Sequence, residues 1–413
     1  MNEVEKKAKL VKSTEKHLRM EKTAEKNIAL LEIGRQIEKE MPIILRANEK
    51  DVKLAQEKGV SEALVDRLRL SETRINSMIT ACSKVATLAD PVGKVIKSWI
   101  QDTLRITQIR VPMGSIGMIY ESRPNVTLDA TILALKSGNP VLLRGGSDAL
   151  SSNLAIANAI KTGLSKSSIP SSAVEILEDT DRENVNQMLK MNEYLSLIIP
   201  RGGAGLIRFV VENSTVPVLE TGVGNCHIFV DHHADIEKSV AIIDNAKTQR
   251  PGTCNAVETV LIHEDLAERL LPKLKERLTS KGVEIRGCEK TAQIIECASA
   301  DETDWEMEYL DLILAVRVVK DVDKALEHIE RFSTGHSESI LTNDLSNAMR
   351  FQASIDSAAV YVNCSTRFTD GEQFGFGGEI GISTQKLHAR GPVGLEELTT
   401  YKYIITGDYS VRG

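Results

Sequence analysis

Aromatic residues make up only 4% of this 413-residue chain. Its cores must therefore be built from Ile, Leu, Val and Ala. No run approaches the roughly 20 uninterrupted apolar residues that a membrane-spanning helix needs. The first 26 residues are rich in Lys and Glu and lack the apolar centre of a secretory signal, so a cytoplasmic location is the expectation. The six cysteines, Cys82, Cys226, Cys254, Cys288, Cys297 and Cys364, form no CxxC pair. Neither a zinc ribbon nor a disulfide framework is suggested. No histidine pair has zinc-ligand spacing beside a glutamate, so no metal is expected. The formal net charge is -7, and an acidic chain without a basic tail argues against nucleic acid as a partner.

What is present has the pattern of an α/β protein. The first 95 or so residues read as helices: Leu30, Ile33, Ile37, Met41 and Ile44 recur at helical spacing, as do Ile75, Met78, Cys82 and Val85. The stretch 98–111 alternates and carries β-branched residues, as a hairpin does. Short apolar strands then alternate with helical stretches, at 116–120, 141–144, 174–177, 197–199 and 216–219. This predicts a doubly wound parallel sheet with ligands at the carboxyl ends of its strands. A second series, at 228–230, 257–263, 283–285, 312–319, 339–341 and 359–363, predicts a second α/β domain. The tail 401–406 reads as one more strand. Neither it nor the hairpin has an evident partner in either sheet, so both are expected to pair across a subunit interface. The expected division is a cofactor domain at 1–97 and 112–225, a catalytic domain at 226–390, and an oligomerisation element at 98–111 and 391–413.

Two turns carry the first chemical signal. Arg144-Gly145-Gly146-Ser147 and Arg201-Gly202-Gly203 each follow a strand and precede a helix. Glycines let backbone N–H groups approach an anion, and a helix N-terminus adds partial positive charge. Either turn alone is as well explained by tight chain reversal; two with arginines favour a phosphorylated cofactor. Neither is the GxGxxG dinucleotide fingerprint. The second signal is Cys254. It sits in Arg250-Pro251-Gly252-Thr253-Cys254-Asn255 among small and polar neighbours, where Lys247 and Arg250 favour thiolate over thiol. Cys82, Cys226 and Cys364 lie on apolar stripes or strand ends and read as core. Glu220 ends the expected fifth strand at the ligand edge, where a base or a backbone-bonding role is equally open.

This ordered series resembles the aldehyde dehydrogenase superfamily. Longer strings are similar to the γ-glutamyl phosphate reductase (glutamate-5-semialdehyde dehydrogenase) family: YESRPNVT from Tyr120, LLRGGSDA from Leu142, IPRGGAGLI from Ile199, VPVLETGVGNCH from Val216, KTQRPGTCNA from Lys247 and LHARGPVGLEELTTYKY from Leu387. The resemblance implies a cofactor domain, a catalytic domain and a small β oligomerisation element. It implies reduction of L-glutamate 5-phosphate with NADPH to L-glutamate 5-semialdehyde and phosphate, the second step of proline biosynthesis. It places the nucleophile at Cys254, and it makes a homo-oligomer and a glutamate kinase the expected partners.

The chain departs from the wider superfamily in three places. Ser147 stands where most members have a ribose-binding glutamate. A carboxylate would repel a 2′-phosphate, whereas Arg144 and Ser147 can bond it, which favours NADP(H). The usual oxyanion-binding asparagine has no clean match; Asn125, a little late in the chain, is the candidate, with the Cys254 N–H as another donor. Glu220 falls near the glutamate that activates water in oxidising members, yet an acyl-phosphate reductase has no hydrolytic step. The dianionic substrate needs cations, for which Arg123, Lys247, Arg250 and Arg367 are candidates, with Asn225 also lining the pocket. The competing reading is a hydrolytic NAD(P)-dependent dehydrogenase of another aldehyde, which would run without phosphate.

Overall fold

A computed structural model describes residues 2–60 and 62–412. The chain forms two compact units. One comprises the residues up to Thr221, Gly375–Gly381 and Val393 onward; the other comprises Gly222–Phe374 and Ile382–Pro392. The observed division therefore falls a few residues before the expected one. The hairpin and the C-terminal strand belong to the first unit rather than standing apart.

The first unit opens with helices α1 (Glu3–Met20), α2 (Thr23–Glu57), α3 (Glu62–Leu68) and α4 (Glu72–Thr87). The apolar stripe foreseen on α2 is buried at Leu30, Ile33, Ile37 and Ile44, and that on α4 at Ile75, Met78, Cys82 and Val85. Then come β1 (Val95–Gln101), β2 (Leu104–Pro112), β3 (Ile116–Tyr120), α5 (Asn125–Lys136), β4 (Val141–Gly145), α6 (Leu150–Leu164), β5 (Val174–Ile176), α7 (Arg182–Met188), β6 (Leu197–Arg201) and α8 (Ala204–Asn213). Helices α2 and α6 pack at Gly163, where an added Cβ would lie 2.7 Å from Ile33 Cα. Only glycine permits that approach.

Strands β3 to β6 form a parallel sheet in the order β5-β4-β3-β6. Every residue of β3 and β4 is buried, as expected for a sheet covered on both faces. Successive strands run outward from β3 to β5 before the chain returns to β6. The winding thus reverses between β3 and β6, and ligands of such sheets bind at the carboxyl ends there. The expected fifth strand is reduced to a single bridge, Ile198 to Val218. Pro217 has no N–H to extend a ladder, and neither does Pro200 on the facing strand.

The second unit contains β7 (Cys226–Val230), α9 (Ile236–Thr248), β8 (Val257–His263), α10 (Glu264–Thr279), β9 (Glu284–Gly287), α11 (Glu289–Ile294), β10 (Ala298–Ser299), α12 (Glu302–Glu306), β11 (Ile313–Val319), α13 (Val322–Phe332), β12 (Ser337–Leu341), α14 (Leu345–Ser354), β13 (Ala359–Val362) and the short pair β14 (Ile382–Ser383) and β15 (Gly391–Pro392). Seven of these strands make a parallel sheet in the order β10-β9-β11-β8-β7-β12-β13. The foreseen strands are all present, and β10 is an addition. Leu266, Leu270, Leu274 and Leu278 of α10 bury against Val260, Ile262 and Val316. A fully buried leucine contributes about 1.5–3 kcal/mol. Side-chain caps at Asp235, Asp321 and Asp344 start α9, α13 and α14.

The last strand, β16 (Thr399–Thr406), pairs antiparallel with β2 of the same chain, Thr399 facing Pro112 through Thr406 facing Arg105. With β1 it completes a three-stranded sheet. The hairpin and the tail, for which the sequence offered no partner within the chain, thus find each other there. Among the described residues, no helix is long and apolar enough to cross a membrane.

Candidate functional site

Cys254 sits in a turn between α9 and β8. The Ala256 N–H donates to Thr253 O at 2.9 Å, closing a tight turn with Cys254 and Asn255 at its centre. Cys254 is half-buried, so its thiol is partly reachable. Remote parts of the second unit hold this turn. The Cys226 thiol donates to Cys254 O at 3.1 Å. Asn255 Nδ2 donates to Thr369 O at 2.8 Å, and Asn255 O accepts from Thr366 Oγ1 at 2.7 Å. Arg367 donates to Gln249 Oε1 at 3.0 Å, to Thr253 Oγ1 at 3.1 Å, and to Asn255 Oδ1. Gly224 is pressed against the turn: an added Cβ would lie 1.6 Å from Cys254 O. Gly224 N itself donates to Glu308 Oε1 at 2.8 Å.

These partners revise the roles foreseen for single residues. Lys247 is fully buried and donates to Glu258 Oε2 at 2.5 Å. Burial pushes the Glu258 carboxyl up to about 7, although Lys247 pulls it down. Burial likewise lowers the Lys247 ammonium against the pull of Glu258. Its charge is thus spent inside the protein. Asn225 is fully buried, with its amide donating to Trp305 O at 2.7 Å and Phe332 O at 2.9 Å. It anchors the segment leading to Gly224. Arg367 braces the turn, while Arg250 is exposed at the end of α9. Cys226, read as plain core, is core and brace together: burial holds its thiol protonated, well above the ordinary range.

The first unit carries the other candidates. Arg144 is the penultimate residue of β4; it is nine-tenths buried and donates to Thr180 O at 2.9 Å, and its Nε meets no partner. Ser147 begins a short 3-10 turn and is exposed. Asp148 accepts from Ser122 Oγ. Gly145 and Gly202 are crowded, a Cβ meeting Asn153 Nδ2 at 2.1 Å and Glu121 Oε2 at 2.5 Å. Gly146 would press on Asp148, whereas Gly203 faces open space. Gly203 caps α8 without any side-chain cap bond, and its N–H donates to Glu121 Oε2 at 3.3 Å. A carboxylate therefore already sits at the β3–β6 switch point, beside half-buried Arg201. Asn125 starts α5 and donates to Asp129 Oδ2 at 2.8 Å; Arg123 precedes it, half-buried. Glu220, half-buried, precedes Thr221, whose hydroxyl donates to Pro200 O at 2.8 Å.

The model of the aldehyde dehydrogenase family matches residues 44–294 and 285–404 of this chain. The chain is 62% identical to the gamma-glutamyl phosphate reductase of Kosmotoga olearia over 413 residues, the whole of both. The crystal structure of gamma-glutamyl phosphate reductase from Thermotoga maritima superimposes with a TM-score of 0.97 at 60% identity, covering all of each chain. An acetylating aldehyde dehydrogenase from Geobacillus thermoglucosidasius shares the fold, with a TM-score of 0.72 at 16% identity.

Proposed function

The chain belongs to the aldehyde dehydrogenase family, in its gamma-glutamyl phosphate reductase branch, and on that premise we infer that it reduces γ-glutamyl phosphate to glutamate 5-semialdehyde with Cys254 as nucleophile. The observation that carries the residue assignment is the Cys254 turn: a half-exposed thiol on a loop whose backbone is braced by Cys226, Arg367, Thr366 and Thr369.

The Cys254 thiolate attacks the acyl carbon, and phosphate departs with the electron pair of the broken C–O bond. The substrate is then held as a thioester, so one difficult transfer becomes two easier steps. When bound, NADP(H) supplies the hydride that takes this thioester to the aldehyde level. Expulsion of the Cys254 thiolate frees the semialdehyde. The braces on Cys254 O and Asn255 set the backbone, which fits a turn that presents N–H groups to a developing oxyanion. Arg250 and Arg123 are the cations we assign to the substrate's charges.

The residues of the first unit fit a dinucleotide phosphate. The N-terminus of α8 has no side-chain N-cap, and its Gly203 N–H, which donates to Glu121 Oε2, would turn to the anion, as helix N-termini do when they hold phosphates. We assign Arg201, Gly202 and Gly203 to the pyrophosphate, and Arg144, Gly145, Gly146 and Ser147 to the adenosine side. Preference for NADP(H) over NAD(H) follows from exposed Ser147 in place of a carboxylate. The exposed three-stranded sheet supports a homo-oligomer.

The reaction is tested in reverse: NADP⁺ reduction by glutamate semialdehyde, with and without inorganic phosphate, in wild type and Cys254→Ala. Activity that requires both phosphate and the thiol is expected. Activity without phosphate would move the chain to the hydrolytic dehydrogenases, and Glu220 would become the base for water. Turnover by Cys254→Ala above a few per cent of wild type would remove the nucleophile assignment.

A further inference from the structure

Folding of the second unit gathers three imidazoles and a buried carboxylate that are scattered in the sequence. Strand β7 ends at Val230, β12 at Leu341 and β8 at His263. Strand β7 lies between β8 and β12, and the winding of the sheet reverses there. The Asp231 N–H donates to Leu341 O at 3.0 Å, which ties the two ends together. Doubly wound sheets hold ligands at the carboxyl ends beside such a reversal. Cys254 precedes the opposite end of β8, whose seven residues span roughly 20 Å. The nucleophile and this edge are therefore separate places.

Asp231 is fully buried. Its Oδ1 accepts from His232 Nδ1 at 3.0 Å, and its Oδ2 from Thr342 Oγ1 at 2.6 Å and Asn347 Nδ2 at 3.0 Å. Burial raises its pKa, but the bonds from Asn347, Thr342 and His232 outweigh burial and keep it ionised. The His232 ring lies 3.8 Å from that of His233 and 4.9 Å from that of His263. One ligand atom from each of Asp231, His232 and His263 falls within 4.8 Å of the others.

We propose that Asp231, His232 and His263 bind a divalent transition-metal ion of the zinc class at this edge, as a site distinct from the Cys254 chemistry. Imidazole and carboxylate donors suit Zn²⁺. The ion takes the place of the proton between Asp231 Oδ1 and His232 Nδ1. His263 Nδ1 accepts from Asp265 N at 3.2 Å, a bond that coordination through Nδ1 would replace and coordination through Nε2 would keep. The ion cross-links the ends of β7 and β8, so it stabilises the folded chain by mass action.

The test titrates Zn²⁺ against a chromophoric chelator, with the wild-type chain, His232→Gln, and the His232→Gln/His263→Gln pair. One Zn²⁺ per wild-type chain is expected, bound roughly tenfold or more tightly than by either variant. Zn²⁺ is also expected to raise the thermal midpoint of wild type alone. Co²⁺ is expected to give visible ligand-field bands without the charge-transfer absorption of thiolate ligands. His232 is partly exposed, so the single variant keeps the comparison valid if the pair fails to fold. Equal affinity in wild type and His232→Gln, no binding by wild type, or a cobalt signal that is only thiolate charge transfer would each overturn the proposal.

Discussion

Lys247 and Glu258 illustrate how a residue's neighbours decide its task. Both are completely buried and joined at 2.5 Å, with the ammonium also 5.8 Å from the Tyr309 ring. Removing one partner of such a pair strands the other charge, at a cost of about 3–5 kcal/mol. Lys247→Met is expected to lose that much in denaturant unfolding. Glu258 has a folded pKa raised to about 7, so the stability it contributes is present below its unfolded value near 4.5 and is lost as pH rises through 7. Without Lys247 the folded value climbs further, so the deficit of Lys247→Met should widen between pH 5 and pH 8. A deficit independent of pH would contradict the charged-pair account. Ser147 is the residue-scale test of coenzyme choice. Being exposed, it tolerates Ser147→Glu without loss of fold. The added carboxylate should lower kcat/KM for NADPH several-fold more than for NADH. An equal loss with both coenzymes would reject the 2′-phosphate reading.

At the scale of elements, the Cys254 turn depends on a segment nearly thirty residues upstream. Gly224 leaves no room for a Cβ beside Cys254 O, so Gly224→Ala must displace the backbone that carries Cys254, the residue we propose as nucleophile. Misplacement by about 1 Å costs on the order of a hundredfold in rate. The variant should keep its far-ultraviolet circular dichroism and lose at least most of its kcat; near-normal kcat would show that the turn yields without consequence. The loop after β3 has a related character. Ser122 adopts a positive φ of 48°, an uncommon conformation for a side-chain-bearing residue, and its hydroxyl bonds Asp148. That bond occupies one oxygen of the carboxylate closest to Ser147 in the chain.

For the whole molecule, the sheet β1-β2-β16 leaves apolar surface uncovered. Ile100 is 69% exposed, Ile405 58% and Tyr401 53%. Exposed apolar patches of this kind mark protein interfaces. A second copy of the chain is the partner we propose. Sedimentation velocity should give a mass above one chain at micromolar concentration, and Ile100→Glu with Ile405→Glu should shift it toward the monomer. A wild-type monomer would leave the sheet without this role.

Local pattern determined a large part of this protein. Strand and helix alternation is written in short apolar runs, because a parallel strand buried on both faces needs them. It therefore revealed both sheets, from Ile116–Tyr120 to Ala359–Val362. Small neighbours and a proline-stopped helix singled out Cys254 among six cysteines. Tertiary structure alone decided the rest. Periodicity says nothing about contacts between residues far apart in the chain, such as Thr366 with Asn255 or β16 with β2. Lys247 and Asn225 looked available for substrate because residue type reveals charge and polarity but not burial. Pro217 reduced an apolar run to one bridge, since hydrophobicity buries a segment while backbone N–H groups make a ladder. Asp231, His232 and His263 meet because parallel strands bring their carboxyl ends to one edge, whatever the sequence distance between them.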